Sequence, residues 1–388
     1  MTPLGVGRFT GIEAIEAFLD PSHVALASRL AAFRTNHLTV PDPDSDDQAR
    51  RRARELLQVM GAEGVFESIR EQDLRALCLM REATAFASPL ADGVLAVQAL
   101  VAIPILLAGT SDQRSCWIDG LINGRVMAAF AMSEPGAGSD VAAMQTTARR
   151  DDDGWVLDGE KHLISNAGVA DVYMVFAVTT PGKGSRGISA FLVSSDAPGF
   201  TFVGPQLMSA PHPLGRIRFD RCRLPASALL GDTDSGFALG MMTLDRVRPS
   251  VGAAACGMAA RALTASVEHA STRRQFGETL AHFQIIREKI GRMATDLEAA
   301  RLLVYRAAWQ GDRHQGRITL DAAMAKSFAT EAAQVIVDEA VQIAGGQGVL
   351  LGNPIERLYR AVRALRIYEG STEIQRLIVA GELLGRSS

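Results

Sequence analysis

The sequence predicts an α+β protein in three consecutive parts: an all-α domain over residues 1–127, an antiparallel β-domain over 128–235 and a four-helix bundle over 236–388. Three observations predict it. The first is the apolar run "SPLADGVLAVQALVAIPILLAG", too hydrophobic for a surface helix and therefore a buried one, inside a helical N-terminal region. The second is a cluster of short β-rich runs, "WVLDGEK", "DVYMVFAV", "GISAFLVSS", "FTFVG" and "GRIRFDRCRL", separated by Gly, Pro, Asp and Ser. The third is the return of helical period after residue 236. Ile286, Ile290, Met293, Leu297, Ala300, Val304 and Ala307 alternate spacings of four and three, and Ala329, Ala332, Ile336, Ala340 and Ile343 mark a second stripe. The small residues of "VGAAACGMAARALTASVEHA" permit a close helix contact.

A chain of 388 residues supports two or three domains and a large core. At 47% hydrophobic and 21% charged it is globular. A net charge of -3 without blocks of like charge excludes nucleic acid and anionic membrane surfaces as expected partners. Cys78, Cys116, Cys222 and Cys256 are far apart, which fits neither a zinc site nor a disulfide framework. "MTPLGVGRFTGIEAIEAFLD" lacks the basic-then-apolar run of a signal peptide. "ALVAIPILLAG" reads as too short to span a bilayer. The expectation is a soluble cytoplasmic protein with no membrane insertion.

Several chemistries are missing from the sequence. "EPGAGSD" and "GGQGVLLG" do not complete a dinucleotide fingerprint or a P-loop, and there is no GxSxG elbow. The seven histidines lack metal-ligand spacing, so no metal is expected; His269 and His282 read as surface or site-neighbouring residues. What remains is a series of polar, Gly-rich loops: "AMSEPGAGSD", "GEKHLISNAGVAD", "RRQFG…FQ", "QIAGGQG" and "IYEGSTEIQR". Each alone reads as a turn or cap. In the last, Ser371 or Thr372 can cap a helix whose first turn carries Glu373.

In that order, from about residue 80 to the C-terminus, these motifs resemble the acyl-CoA dehydrogenase family. The resemblance implies non-covalent FAD, a homotetramer and oxidation of an acyl thioester to its trans-2-enoyl form, with an electron-transferring flavoprotein as acceptor. By motif, Phe130, Met132, Ser133, Gly138 and Ser139 line the flavin or the substrate entrance. Leu163, Ile164 and Ser165 flank the flavin, the Ser165 hydroxyl meeting its N5. Arg273, Phe276 and Gln284 reach the FAD of a neighbouring subunit. Gln342, Ile343, Gly345 and Gly346 surround its diphosphate and adenosine end, and Ser371 and Glu373 return to the cofactor. Glu369 stands where many members carry the base, with Gly370 turning the chain beside the substrate. The other place for a base in this family is Val247 here, which accepts no proton. Asp245 and Arg248 match residues near the thioester and pantetheine; the alternative for them is a surface salt bridge.

The sequence departs from the family at Lys161-His162-Leu163-Ile164-Ser165, where Leu163 replaces a frequent Trp. Two other readings follow: an oxidase or carrier-protein thioester dehydrogenase on the same fold, and a helical scaffold without its cofactor. No motif encodes the length or branching of the acyl chain.

Overall fold

The computed structural model describes residues 7–313 and 317–385. Helices α1 (Gly7–Thr10), α2 (Pro21–His37), α3 (Asp46–Ala62), α4 (Leu74–Ala87), α5 (Pro89–Ala108) and α6 (Ser111–Ile122) come first. Eight strands follow, β1 (Ala128–Ala131), β2 (Thr147–Asp151), β3 (Gly154–Ser165), β4 (Val172–Val178), β5 (Ile188–Ser194), β6 (Phe200–Pro205), β7 (Leu214–Pro225) and β8 (Leu229–Leu230). Helix α7 (Gly236–Thr272), a hairpin of β9 (Arg274–Gln275) and β10 (Glu278–Thr279), then α8 (Gln284–Arg313), α9 (Thr319–Ala344), α10 (Pro354–Leu365) and α11 (Thr372–Leu383) complete the order. The helical, β and helical thirds expected from the sequence are present. The chain forms two compact units: one holds the described residues up to Pro41, Asp73–Asp92 and those from Asp245 on, the other Asp42–Gln72 and Gly93–Leu244.

In the second unit the sheet runs β6-β7-β3-β2-β4-β5-β8. Most pairs are antiparallel, as expected, but β1 joins β4 in parallel and β2 meets β4 in parallel through Thr147 and Val178. All five β-rich runs are strands. Along β7 Arg216 and Arg218 face solvent while Ile217 and Phe219 are buried, the alternation of a half-buried strand. Between Lys161 and Ile164 the β3–β7 register shifts, and Leu163 takes φ 55. This irregularity takes only His162 and Leu163 out of register, while Lys161, Ile164 and Ser165 stay paired with Ile217, Gly215 and Leu214. Arg50 and Arg54 of α3 fasten the segment after β3: Arg50 donates to the carbonyls of Ala167 and Leu214, and Arg54 pairs with Asp171.

In the first unit, α7 lies close against α4: a Cβ on Gly257 would stand 2.2 Å from the carbonyl oxygen of Glu82. Only glycine allows that approach, so the small-residue stretch does the work its composition implies. The α8 stripe is buried from Met293 onward, while Ile286 and Ile290 stay half-exposed. Glu82 accepts from Tyr305 Oη at 2.6 Å and pairs with Arg301 at 2.7 Å, so the buried charge is matched.

One expectation needs correction. The stretch read as too short to span a bilayer belongs to the continuous 20-residue α5, because Pro104 lies within the helix without ending it. Both α5 and α7 are long and apolar enough to cross a membrane by length and composition, and 83% of the most apolar window of each is buried inside the fold. That burial accounts for their hydropathy.

Candidate active site

In the first unit the site is built on the turn between α10 and α11. Glu369 has φ 53 and Gly370 φ 88, so two successive residues are left-handed. A Cβ on Gly370 would also lie 2.4 Å from Gln375 Nε2 and push that amide aside, so the left-handed backbone favours glycine and the bond from Gln375 needs the space. Ser371 Oγ then caps α11 by accepting from the Ile374 N–H. The simple helix-start reading of this segment is therefore true, and it leaves Glu369 unexplained, because the capping is done by its neighbour. Glu373 is exposed, held below the usual carboxylate range by its own backbone N–H and then by Ser371.

Glu369 itself is half-buried, but its Oε2 is buried and has no hydrogen-bond partner. Burial pushes its pKa up; Arg81, Lys326 and Arg248 oppose the rise, and Asp92 adds to it. Arg81 is held by Asp92 through two bonds of 2.8 and 2.9 Å and donates to Ser250 Oγ at 3.2 Å. Most of its charge is thus committed elsewhere, and the carboxyl keeps its raised pKa. Tyr368 beside it is 39% exposed. Val247 on α7 is buried and apolar, with no role in proton transfer.

Asp245 and Arg248 are not the surface pair considered as the alternative. Arg248 is buried and bonds Asp245, which also accepts from Thr319. Arg248 Nε is a buried donor without a partner, available to a ligand.

The remaining motif residues of this unit, Ile343 apart, are at its surface. Phe276, at the tip of the β9–β10 hairpin, is 95% exposed with φ 52, followed by Gly277 at φ 84. Arg273 and Gln284 are exposed at the two ends of that connection. Gln342 is exposed and Ile343 buried at the end of α9, which stops at Gly345 with φ 60. Gly346 is exposed with nothing within 4 Å of a built Cβ. Neither conformation nor packing in this chain requires glycine there, which fits a site kept clear for a ligand or a second chain. Among the described residues no hydrogen bond or ion pair joins the hairpin or the Gly345 turn to the Glu369 turn.

In the second unit the motifs meet at a buried lysine. Phe130 lies half-buried on β1 with its ring 5.1 Å from that of Phe176. Met132 is buried, and Ser133 accepts from the His162 N–H at 3.1 Å, which ties the first loop to β3. Glu134 accepts from the backbone N–H of Gln145 and Thr146 and from Lys161 Nζ at 2.8 Å. The loop between is thereby folded back, leaving Gly138 and Ser139 exposed, with open space around Gly138. Lys161 is wholly buried, and desolvation lowers its pKa to about 8 against the pull of Glu134. Leu163 is 52% exposed, Ile164 is buried, and Ser165 is half-buried at the end of β3.

Sequence reasoning missed Arg81, Asp92, Lys326, Gln375 and the Glu134–Lys161 pair. A signal existed for Lys326, a lone charge in phase with Ala322 and Ala329 on the buried stripe of α9. Arg81 likewise sits inside the apolar "LCLMREATAFA".

Residues 129–222 match the family model for the acyl-CoA dehydrogenase middle domain and residues 234–384 that for its C-terminal domain. Over 377 residues the chain is 36% identical to a probable acyl-CoA dehydrogenase, fadE25, of Mycobacterium leprae, covering 94% of this chain and 96% of that one. The structure of butyryl-CoA dehydrogenase from Megasphaera elsdenii superposes with a TM-score of 0.88 at 33% identity, covering 94% and 99% of the two chains. A glutaryl-CoA dehydrogenase from Mycobacterium smegmatis, in complex with FADH2, superposes with a TM-score of 0.87 at 26% identity, covering 96% and 97%. With two domain models matched in order and nearly the whole length shared with these relatives, the chain belongs to the acyl-CoA dehydrogenase family.

Proposed function

We propose that this protein is an FAD-dependent dehydrogenase that converts an acyl-CoA thioester to the trans-2-enoyl-CoA, with Glu369 as the base that removes the α-proton. The observation that carries the proposal is the Glu369 carboxyl, with a buried, unpartnered oxygen and a pKa raised by burial. An unpartnered buried carboxyl costs stability and is retained where it reacts. Its raised pKa makes it a stronger base once deprotonated.

The residues present fit a flavin dinucleotide. Gly138 and Gly346 leave space that no side chain of their own unit fills, and Phe276 presents an almost fully exposed ring. Phe130, Met132, Ser133, Ser139, Leu163, Ile164 and Ser165 would hold the ring system. Arg273, Phe276 and Gln284 would reach the flavin of a neighbouring subunit, and Gln342, Ile343, Gly345, Gly346, Ser371 and Glu373 would hold the remainder. Bound FAD supplies the acceptor for the hydride that leaves the β-carbon. Glu369 binds the α-proton at its carboxylate, Gly370 lets the backbone turn beside the thioester, and Asp245 and Arg248 orient the thioester and pantetheine.

The test is anaerobic titration of the holoprotein with acyl-CoAs of increasing chain length, scored by bleaching of the flavin and identification of the enoyl product. Failure of every acyl-CoA to bleach a flavin-loaded protein would refute the assignment. An electron-transferring flavoprotein is the proposed acceptor, and a homotetramer the proposed assembly. Exposed Leu350, Leu351, Leu377, Leu383 and Leu384 support the latter, as large apolar side chains that an assembly would cover. Arg273→Ala is expected to lower flavin retention and tetramer content together, measured by absorbance and light scattering; a fully loaded monomer would refute both. Four free cysteines fit a cytoplasmic setting.

At Leu163 a smaller, half-exposed side chain replaces the aromatic one frequent in relatives. Leu163→Trp is expected to slow reoxidation of the reduced enzyme by O₂ several-fold while leaving reduction by substrate unchanged, because a larger side chain restricts access of O₂ and water. Stopped-flow absorbance of both half-reactions checks this, and equal reoxidation rates would refute it.

A further inference from the structure

Lys326 on α9 is wholly buried, as are Ala322, Ala323, Ala325 and Ala329 of the same helix, and its Nζ donates to the carbonyl oxygen of Gly370 at 2.6 Å. The same carbonyl accepts from Gln375 Nε2 at 3.1 Å, and the Glu369 carbonyl accepts from that nitrogen at 3.2 Å. The Thr372 N–H closes the turn on the Arg366 carbonyl at 3.0 Å. Two buried side chains therefore grip the two peptide carbonyls that follow the base. The grip has something to resist: Glu369 is not glycine, and its left-handed backbone, φ 53, is strained. Without it the backbone would relax and carry the carboxylate with it.

Stability alone is a poor account of this lysine. Burying an ammonium is costly, and among the described residues its hydrogen bond goes to a neutral carbonyl. A methionine would fill the same volume without that cost. The charge does have an object. Glu369 and Glu373 attract it, while Arg248 on α7 and Arg366 at the end of α10 repel it. Burial is the largest influence and lowers its pKa to about 8, so it remains largely cationic at neutral pH. Glu369 in turn feels Arg81 on α4, Lys326 and Arg248 as stabilising cations and Asp92 on α5 as an opposing anion. With Arg81 already committed to Asp92, Lys326 is the cation that also holds the backbone of the turn.

We propose that Lys326 is a positioning residue for the base: by gripping the Gly370 carbonyl and standing as a fixed positive charge beside Glu369, it sets both where the carboxylate points and how readily it ionises. The inference rests on the reading of Glu369 as the base. Neither Lys326 nor Gln375 touches the reacting atoms.

The experiment compares the holoenzyme with its Lys326→Met, Lys326→Gln and Lys326→Arg variants, measuring anaerobic flavin reduction by a good acyl-CoA across pH. Lys326→Met is expected to keep its flavin while kcat falls about 10- to 100-fold and KM changes little, because misplacing a base weakens the proton transfer more than binding. Its acid limb should move to higher pH, because removing a nearby cation favours the protonated carboxyl. Lys326→Arg should recover part of the rate and return the limb towards wild type. A Lys326→Met enzyme with wild-type kcat and an unmoved limb, whatever its melting temperature, overturns the proposal. If that variant does not fold, Lys326→Gln decides, as it keeps a donor and loses the charge. An upward shift of the limb supports the proposal, and coincidence with wild type overturns it. If no acyl-CoA reduces the wild-type flavin, the reading of Glu369 falls and this one with it; normal wild-type reduction with unaffected variants overturns the role of Lys326 alone.

Discussion

Glu369→Gln will retain its flavin and its fold and lose turnover, with kcat falling by roughly 10²- to 10⁴-fold or more. Glutamine keeps the shape of the side chain and cannot take a proton. The fold should not suffer. The carboxyl it replaces has a buried oxygen without a partner, and burial already disfavours its charged form. Melting temperature is therefore expected to stay level or rise, the usual relation between a reactive group and the stability of its host. In the wild type the sign of the pH dependence follows from the direction of the shift. A base works deprotonated, and its pKa lies above the ordinary glutamate value. Activity should therefore be lost as pH falls through that raised value, and so at a higher pH than for an exposed carboxylate. Stopped-flow bleaching across pH in both proteins checks these outcomes. Near-normal bleaching of the glutamine variant would place the base elsewhere.

Removing the carboxylate of Glu134 should have the largest effect on stability. Its side chain is buried and satisfies three donors: the N–H groups of Gln145 and Thr146 and the Lys161 ammonium. In Glu134→Ala the ammonium keeps the Met132 carbonyl at 3.1 Å and the Met144 sulfur at 3.7 Å, neither of them charged. Stripping one partner from a buried ion pair costs about 3–5 kcal/mol. The loop carrying Ser133, Gly138 and Ser139 loses its anchor in the same step, so flavin retention should fall with stability. A double replacement, Glu134→Leu with Lys161→Met, removes both charges and should recover much of the stability, because an apolar pair of similar volume replaces the ion pair well. Denaturant unfolding of the three proteins tests this. A loss below about 1 kcal/mol for Glu134→Ala would mean that water reaches the pair and screens it.

The architecture was legible in the sequence because it is written in local patterns. The β7 alternation gives away a half-buried strand, and the spacing of Met293, Leu297, Ala300 and Val304 gives away a helix face, whatever they pack against. The Gly-rich motifs were legible for a related reason, since left-handed turns and open approaches require particular residues at particular places, as at Gly345 and Gly370. The strand β2, "TARRD", was missed, because its three charged residues hide the alternation.

What the sequence by itself determined is thus the order of helical, β and helical parts, the turn that carries Glu369, and the family. The tertiary structure decided the environment of that carboxylate. Arg81 and Asp92 are 11 positions apart, and Lys326 reaches Gly370 across 44. Nothing in local composition tells which buried cation meets which buried anion, because the pairing is fixed by how helices pack. Burial and the placement of neighbouring charges set the strength of a base, and both are properties of the packed chain, not of the residue.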